Sequence, residues 1–573
     1  QILLEQYLYP LSSNPALLSD EGYDLLLSFC RDFYYSNYTE PALLIRIIDI
    51  LLPHYEDRSD TESLLFLYIC AGFSYMELSR TGEPTSRDKT IYFYTKVLSY
   101  RDQIEFFESA ASRDYIFIAY YNLIRVAPGL GILDIETAYR LWEELCQIRT
   151  MPKFCQYDTT NPRIPQLCDC AINDFRAYGA VLNVERVIAP SAILSSLENM
   201  TQIYYSEILH EHGSIYECPA FTVFNYHYVQ ARNGTITWEA AWQILDDYYV
   251  HKMQTIGQVS SPDLLAFYTN LPLNLIDVLG HTHFKEEFKQ ATYRRYRNLI
   301  TSYLMNQPAS LNSYTLNNGV QLVAFHPLIL GTFQNRMEKM NFIVDLVVTR
   351  HLTTFTHSVM VSYLAEAIGK HILAARPELL RIPSSYLEGN VYASPAEVLD
   401  YIVPAALFHD IGKNGMIPII NTQHRKLNDY EFNIIQTHPQ KGSDYLSSDP
   451  DFLIYQPVAL GHHRSYDGTR GYPLSFDNTA SPYRDAIDLI HICDCLDAAT
   501  DYLSRNYHRA KPFDVVLNEL KAGRGTEYNP DMVDVILSDR ELYNDLKMLT
   551  EQNRENIYYD IYLTFVNLRK KRQ

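Results

Sequence analysis

The chain has 573 residues, with 68 acids against 48 bases and a formal charge of −20. An apolar fraction of 47% excludes a disordered polymer, and the length exceeds one core, so roughly two to four domains are expected. The negative balance argues against a nucleic-acid polymer or an anionic membrane as partner, yet a metal or a few local bases can still reverse the field for a small phosphorylated ligand. Nine cysteines are scattered without a CxxC pair. The CxC pairs Cys168/Cys170 and Cys493/Cys495 lack a second pair at zinc-finger spacing, so reduced thiols in a cytoplasmic chain are expected. No run reaches the roughly 18–20 apolar residues of a membrane span. The sequence begins at Gln1 rather than methionine, which leaves open a preceding segment with a signal or anchor.

An all-α chain is expected, with a helical domain over residues 1–325. The run Asp114 to Arg125 carries apolar residues at helical spacing. Two stretches echo each other. Tyr120 to Leu145 holds Gly129 and Gly131 before Asp134 and a helix with Ala138 and Trp142. Tyr226 to Tyr248 holds Asn233-Gly234 before Thr237 and a helix with Ala241 and Trp242. Each reads as helix, glycine turn and capped helix. These hairpins resemble degenerate tetratricopeptide-type repeats, which imply a solenoid with a binding face; an irregular helical domain is the alternative. Residues 326–345 are expected to connect to the next domain. A long amphipathic helix is expected from near Met337 toward His357, either a coupling element or simply the first helix of that domain. The next domain is expected over 346–545 and a helical tail over 546–573.

Chemistry concentrates between residues 357 and 494. His357 shares a helix face with Val361, Leu364 and Ile368, a position equally suited to a core histidine. His409 ends an expected helix Ala396–Phe408, Asp410 follows, and Gly412 gives room to turn. A carboxylate behind so apolar a helix asks for a cation. His438 precedes Pro439 and Gly442. His462 and His463 close the apolar run from Val458, where pairing with a helix C-terminus is the plainer alternative. Asp494 lies among Ile487, Ile490 and Cys493. Seven imidazole and carboxylate groups suit two first-row metals sharing a carboxylate, with positions left for water and substrate.

The order His357, His409-Asp410, His438, His462-His463, Asp494 resembles the HD-GYP branch of the HD metal-dependent phosphohydrolases. His409-Asp-Ile-Gly-Lys413, the block from Leu427 to Gly442, Asp494-Cys-Leu-Asp-Ala-Ala499, Arg505-Asn-Tyr507 and Gly523 to Asp531 are similar to that branch's successive motifs. The resemblance spans about residues 340–545. It implies a helical bundle around a centre of two or three metals, usually iron or manganese, and hydrolysis of cyclic di-GMP. Carried over, His357, His409, Asp410 and Asp494 would hold one metal, and His438, His462 and His463 the second, with Asp410 bridging.

Three positions depart from the pattern. Members with three metals carry a glutamate four residues before the first histidine, where this chain has Thr353, so two divalent metals are expected. The usual third residue after the histidine pair is glutamate, here Arg464. The loop before Gly471-Tyr472-Pro473 holds one extra residue.

The two metals would supply an activated hydroxide for attack on phosphorus. Asp410 and Lys413 are the expected catalytic residues, with Lys413 charge-stabilising. Lys413, Arg505, Arg509, Gly471 and Tyr472 are the expected substrate contacts, although Lys413 and Arg505 also suit plain surface charge. Asp497 fits packing or hydrogen bonding better than ligation. A catalytically weak signalling scaffold and a phosphohydrolase for another phosphate ester stand as alternatives. A protein partner for the N-terminal helices and a homodimer are left open.

Overall fold

The computed structural model describes residues 18–35, 41–79, 85–107, 109–157, 161–181, 191–255, 261–307, 314–348, 350–384, 391–416, 427, 429–503 and 510–570. The chain is all-α: the described residues contain helices and isolated bridges but no strand. It divides into two compact units, residues 1–259 with 281–283, and residues 260–280 with 284–573.

The first unit runs through α1 (Asp20–Tyr35), α2 (Pro41–Arg58), α3 (Thr61–Ser79), α4 (Ser86–Leu98), α5 (Ala110–Tyr121), α6 (Ile135–Thr150), α7 (Arg163–Tyr178), α8 (Ser191–His212), α9 (Ala220–Arg232) and α10 (Trp238–Thr255). Helix α3 is apolar around most of its circumference and is buried accordingly, between α2, α4 and α5. Helices mostly pack on near neighbours in sequence. Both echoing stretches are helical hairpins. Gly131 and Gly234 take left-handed φ of 67° and 71° in the turns, and Asp134 and Thr237 accept hydrogen bonds from the backbones of Thr137 and Ala240.

The second unit holds α11 (Ser261–Tyr268), α12 (Asn270–Gly280), α13 (Glu286–Asn306), α14 (Tyr314–Ala324), α15 (Arg336–Val348), α16 (Leu352–Ala375), α17 (Pro395–Phe408), α18 (Asp429–Ile435), α19 (His438–Leu446), α20 (Gln456–Gly461), α21 (Arg484–Thr500), α22 (Phe513–Ala522), α23 (Pro530–Ser538), α24 (Arg540–Lys547) and α25 (Arg554–Lys570). Helix α16 is its axis, packed against α17, α21, α23 and α24. The division falls near residue 260, and α11 to α15 pack each on the next within the second unit. The expected long helix from Met337 is two helices, α15 and α16. Val347, Val348 and Thr349 are β-branched in sequence, a weak helix stretch, and the buried His351 leaves helical geometry with φ −130° and ψ 59°. The eight cysteines whose side chains are described form no disulfide, and no described helix is long and apolar enough to cross a membrane.

Candidate metal centre

Local signals deliver each candidate ligand to the end of a short element or to a buried helix face. Helix α17 starts with Pro395 behind a capping box, in which Ser394 Oγ accepts from Glu397 N and Glu397 accepts from Ser394 N. It stops at Phe408, and Asp410 leaves helical geometry, so adjacent side chains turn to one point. Gly412 makes that point meet α19. A Cβ there would lie 2.0 Å from the His438 carbonyl oxygen and 2.6 Å from Gly442 N, so only glycine permits the approach. His438 opens α19, His462 caps α20, His357 lies in α16 and Asp494 lies midway along α21.

The seven residues named from sequence converge. They form two groups whose ligand atoms lie within 4.8 Å of one another: Asp410, His438, His462 and His463; and His357, His409 and Asp494. Asp410, 1% exposed, stands between two pairs of imidazoles. Its Oδ1 is 3.1 Å from His438 Nε2 and 3.6 Å from His462 Nε2, and its Oδ2 is 3.4 Å from His409 Nε2 and 3.6 Å from His357 Nε2. Asp494 spans the groups too, with Oδ1 3.0 Å from His357 Nε2 and Oδ2 3.7 Å from His463 Nδ1.

The outer ring nitrogens settle the tautomers. His409, His438 and His462 donate from Nδ1 to the backbone carbonyls of Ala406, Ile435 and Ala459 at 2.6, 2.6 and 3.0 Å, and His357 Nδ1 donates to Asp497 at 2.6 Å. A carbonyl only accepts, so each Nδ1 carries the hydrogen and each Nε2 turns a lone pair inward. His438 Nε2 and His462 Nε2 are then two lone pairs 3.1 Å apart, and His409 Nε2 and Asp410 Oδ1 are buried without a hydrogen-bond partner. Such an arrangement is costly unless cations fill it, so the donor set fits a metal group.

Protonation favours ligation as well. Burial works to raise the Asp410 carboxyl, but the charge of Lys413 beside it works to hold it well below the carboxylate range. Burial pushes His462 down to about 4 and lowers His438 and His463, leaving neutral imidazoles at pH 7.

One side of the centre opens to solvent, where His463 and Lys413 are 21% and 19% exposed. Lys413 Nζ sits 2.5 Å from Asp410 Oδ2, an ion pair within the turn. The Tyr472 ring lies 4.5 Å from His463. Gly471 has φ 87°, and a Cβ there would lie 1.9 Å from the His463 carbonyl oxygen, so glycine lets the loop touch the histidine pair. Arg505 and Arg509 lie outside the described residues, as do Tyr507 and part of the block from Leu427 to Gly442. Thr353 is exposed, in the first turn of α16.

Arg464, read from sequence only as a departure, is the core of the glycine loop. Its guanidinium is buried and donates to the carbonyls of Arg470 at 2.9 Å and Gly471 at 3.3 Å, and to that of Gly468. The loop is thus wrapped around the arginine side chain. The segment after Gly523 buttresses it from outside: Tyr466 N and Asp467 N donate to the carbonyls of Glu527 and Thr526.

Sequence reasoning missed His491, whose Nδ1 donates to the His462 carbonyl at 2.6 Å and whose Nε2 lies 3.3 Å from Glu527. Its position three residues before Asp494, hence on one helix face, was the available signal. Arg554, also missed, carried no local signal.

Residues 354–505 match the HD domain family. Over 303 residues, 48% of this chain and 60% of the relative, the sequence is 26% identical to a cyclic di-GMP phosphodiesterase of Vibrio cholerae. It is 33% identical over 146 residues to the cyclic di-GMP phosphodiesterase response regulator RpfG of Xanthomonas campestris, covering 25% of this chain and 37% of that one. It is 25% identical over 203 residues to a 3'3'-cGAMP-specific phosphodiesterase 2 of Vibrio cholerae, covering 35% and 37%. The chain thus spans 60% or less of the length of these relatives. The second unit contains an HD domain. With the ordered motifs and these relatives, this region is similar to the HD-GYP type of that family.

Proposed function

We propose that this chain is a phosphodiesterase that hydrolyses a cyclic dinucleotide, cyclic di-GMP foremost, at a centre of two divalent transition cations. The observation that carries this is Asp410, a single buried carboxylate with each oxygen facing two inward imidazole nitrogens. His357, His409 and Asp494 would hold one cation, His438, His462 and His463 the other, and Asp410 would serve both. Bound there, such cations supply Lewis acidity and lower the pKa of a coordinated water toward neutrality. The chain's own part is to keep the imidazoles neutral, fix the tautomers of His357, His409, His438 and His462 through Nδ1, and confine the substrate to the open side. There Lys413 presents a cationic group beside the point where a phosphoryl oxygen would enter, and Tyr472 offers a ring for a base to lie against. The relatives that act on cyclic di-GMP support the substrate class.

A second reading keeps the chemistry and changes the dinucleotide. The loop wrapped around Arg464 favours it, together with the relative specific for 3'3'-cGAMP. Protein loaded with Mn²⁺ or Fe²⁺ under reducing conditions is expected to convert cyclic di-GMP to the linear dinucleotide or GMP, with close to two metals per chain. Asp410→Ala is expected to abolish both. Turnover of 3'3'-cGAMP alone would establish the second reading. No turnover of either by fully metallated protein would leave a non-catalytic scaffold.

A further inference from the structure

The C-terminal helix α25 lies beyond the residues that match the HD family, yet it reaches the candidate centre. Arg554, at its first turn, is fully buried at 0% exposure. Its Nη1 donates to Asp497 Oδ1 at 2.7 Å, its Nη2 to Thr500 Oγ1 at 2.8 Å, and its Nε to the Thr550 carbonyl at 3.0 Å. Asp497, also at 0%, turns its other oxygen to His357 Nδ1 at 2.6 Å. The line is unbroken: guanidinium, carboxylate, imidazole, and an Nε2 aimed at Asp410 and Asp494. The same helix packs Ile557 and Ile561 on Met360, one turn along α16 from His357.

We propose that Arg554 is a positioning residue for cation binding, acting through Asp497 on the orientation and tautomer of His357, so that the C-terminal helix is a structural part of the metal centre. This rests on the two-cation reading above. A buried carboxylate is an effective orienting partner only if its own charge and direction are held, and Arg554 does both in a place where an uncompensated charge would be costly. The arrangement is one-sided. His409, His438 and His462 are oriented by carbonyls within a turn of themselves, whereas His357 is oriented by a residue 140 positions away that is itself held by one 57 positions further. Losing Arg554 should therefore weaken the cation held by His357, His409 and Asp494 and spare the other.

The test uses the full chain, with Mn²⁺ uptake read by competition against graded chelator and melting curves of the metal-free protein as a fold control. Arg554→Met is expected to keep one tight cation and to weaken the second by about 10- to 100-fold, the range for losing an outer-shell partner. Arg554→Lys, which retains the charge, is expected to recover part of this. Asp497→Asn is expected to show the same selective loss, and the double variant no further loss, because both act in one line. Two affinities within about threefold of the parent protein in Arg554→Met, equal weakening of both cations, or additive losses in the double variant would each overturn the proposal. If Arg554→Met does not fold, Asp497→Asn, which removes the same link, decides by the same two affinities. A parent chain that takes up no cation overturns the metal centre itself, whereas a parent with two cations and an unaltered Arg554→Met overturns the positioning role alone.

Discussion

Gly412→Ala tests the seam on which the centre is built. A Cβ at this position would lie 2.0 Å from the His438 carbonyl oxygen, 2.9 Å from its carbonyl carbon and 2.6 Å from Gly442 N, all backbone atoms that cannot rotate away. Restoring ordinary contact requires α19 and the turn after α17 to part by about 1.4 Å. That motion carries His438 away from Asp410, now 3.1 Å from it. A misplacement of about 1 Å at reacting groups costs on the order of 100-fold in rate, and overpacking of this kind costs about 1–3 kcal/mol in stability. Gly442→Ala on the facing helix is the control. Its Cβ would meet Gly412 N at 3.3 Å and side chains at 3.4 Å and beyond, so a shift of a few tenths of an ångström accommodates it. The assay is elemental metal content together with cyclic di-GMP turnover in both variants. Gly412→Ala is expected to lose about half its metal and about 99% of its activity, with Gly442→Ala close to the parent protein. Full metal content and turnover in Gly412→Ala would refute the claim that this backbone approach sets the ligand geometry.

Two further outcomes follow from other sites. Arg464→Ala strips donors from the carbonyls of Gly468, Arg470 and Gly471, so a stability loss of about 1–3 kcal/mol and faster proteolysis between residues 465 and 473 are expected. KM should rise more than kcat falls, and an unchanged KM would contradict the loop's part in substrate binding. Burial raises the Asp488 carboxyl to about 7, against the Asn529 hydrogen bond and the Arg484 charge. Its folded value thus exceeds the unfolded one near 3.9, and its contribution to stability is full below about pH 4 and is lost as pH rises through about 7. The melting-temperature gain of Asp488→Asn over the parent is expected to grow across that window and then level, and a gain independent of pH would count against it.

The candidate set of seven residues that the fold brings together was legible in the sequence because it rests on side-chain chemistry and on short-range signals. Histidine and aspartate are the groups that bind such metals at neutral pH, and the apolar runs before His409 and His462 mark helix ends by local periodicity. Helix α17 falls within one residue of its expected start. The glycines that allow backbone contact, Gly412 and Gly471, are visible as glycines, but what they touch is not.

What the sequence by itself determined is the residue types, their order and the helical character of the segments that carry them. Tertiary structure decided the division near residue 260, the break between α15 and α16, the ion pair of Lys413 with Asp410, the enclosure of Arg464 by its loop, and the reach of Arg554 to Asp497. The reason is separation along the chain. A helix end is specified within a turn or two, whereas the partner of a buried charge is whichever group packing brings opposite it. From Arg554 through Asp497 to His357 that distance is 57 and then 140 residues, beyond any local pattern.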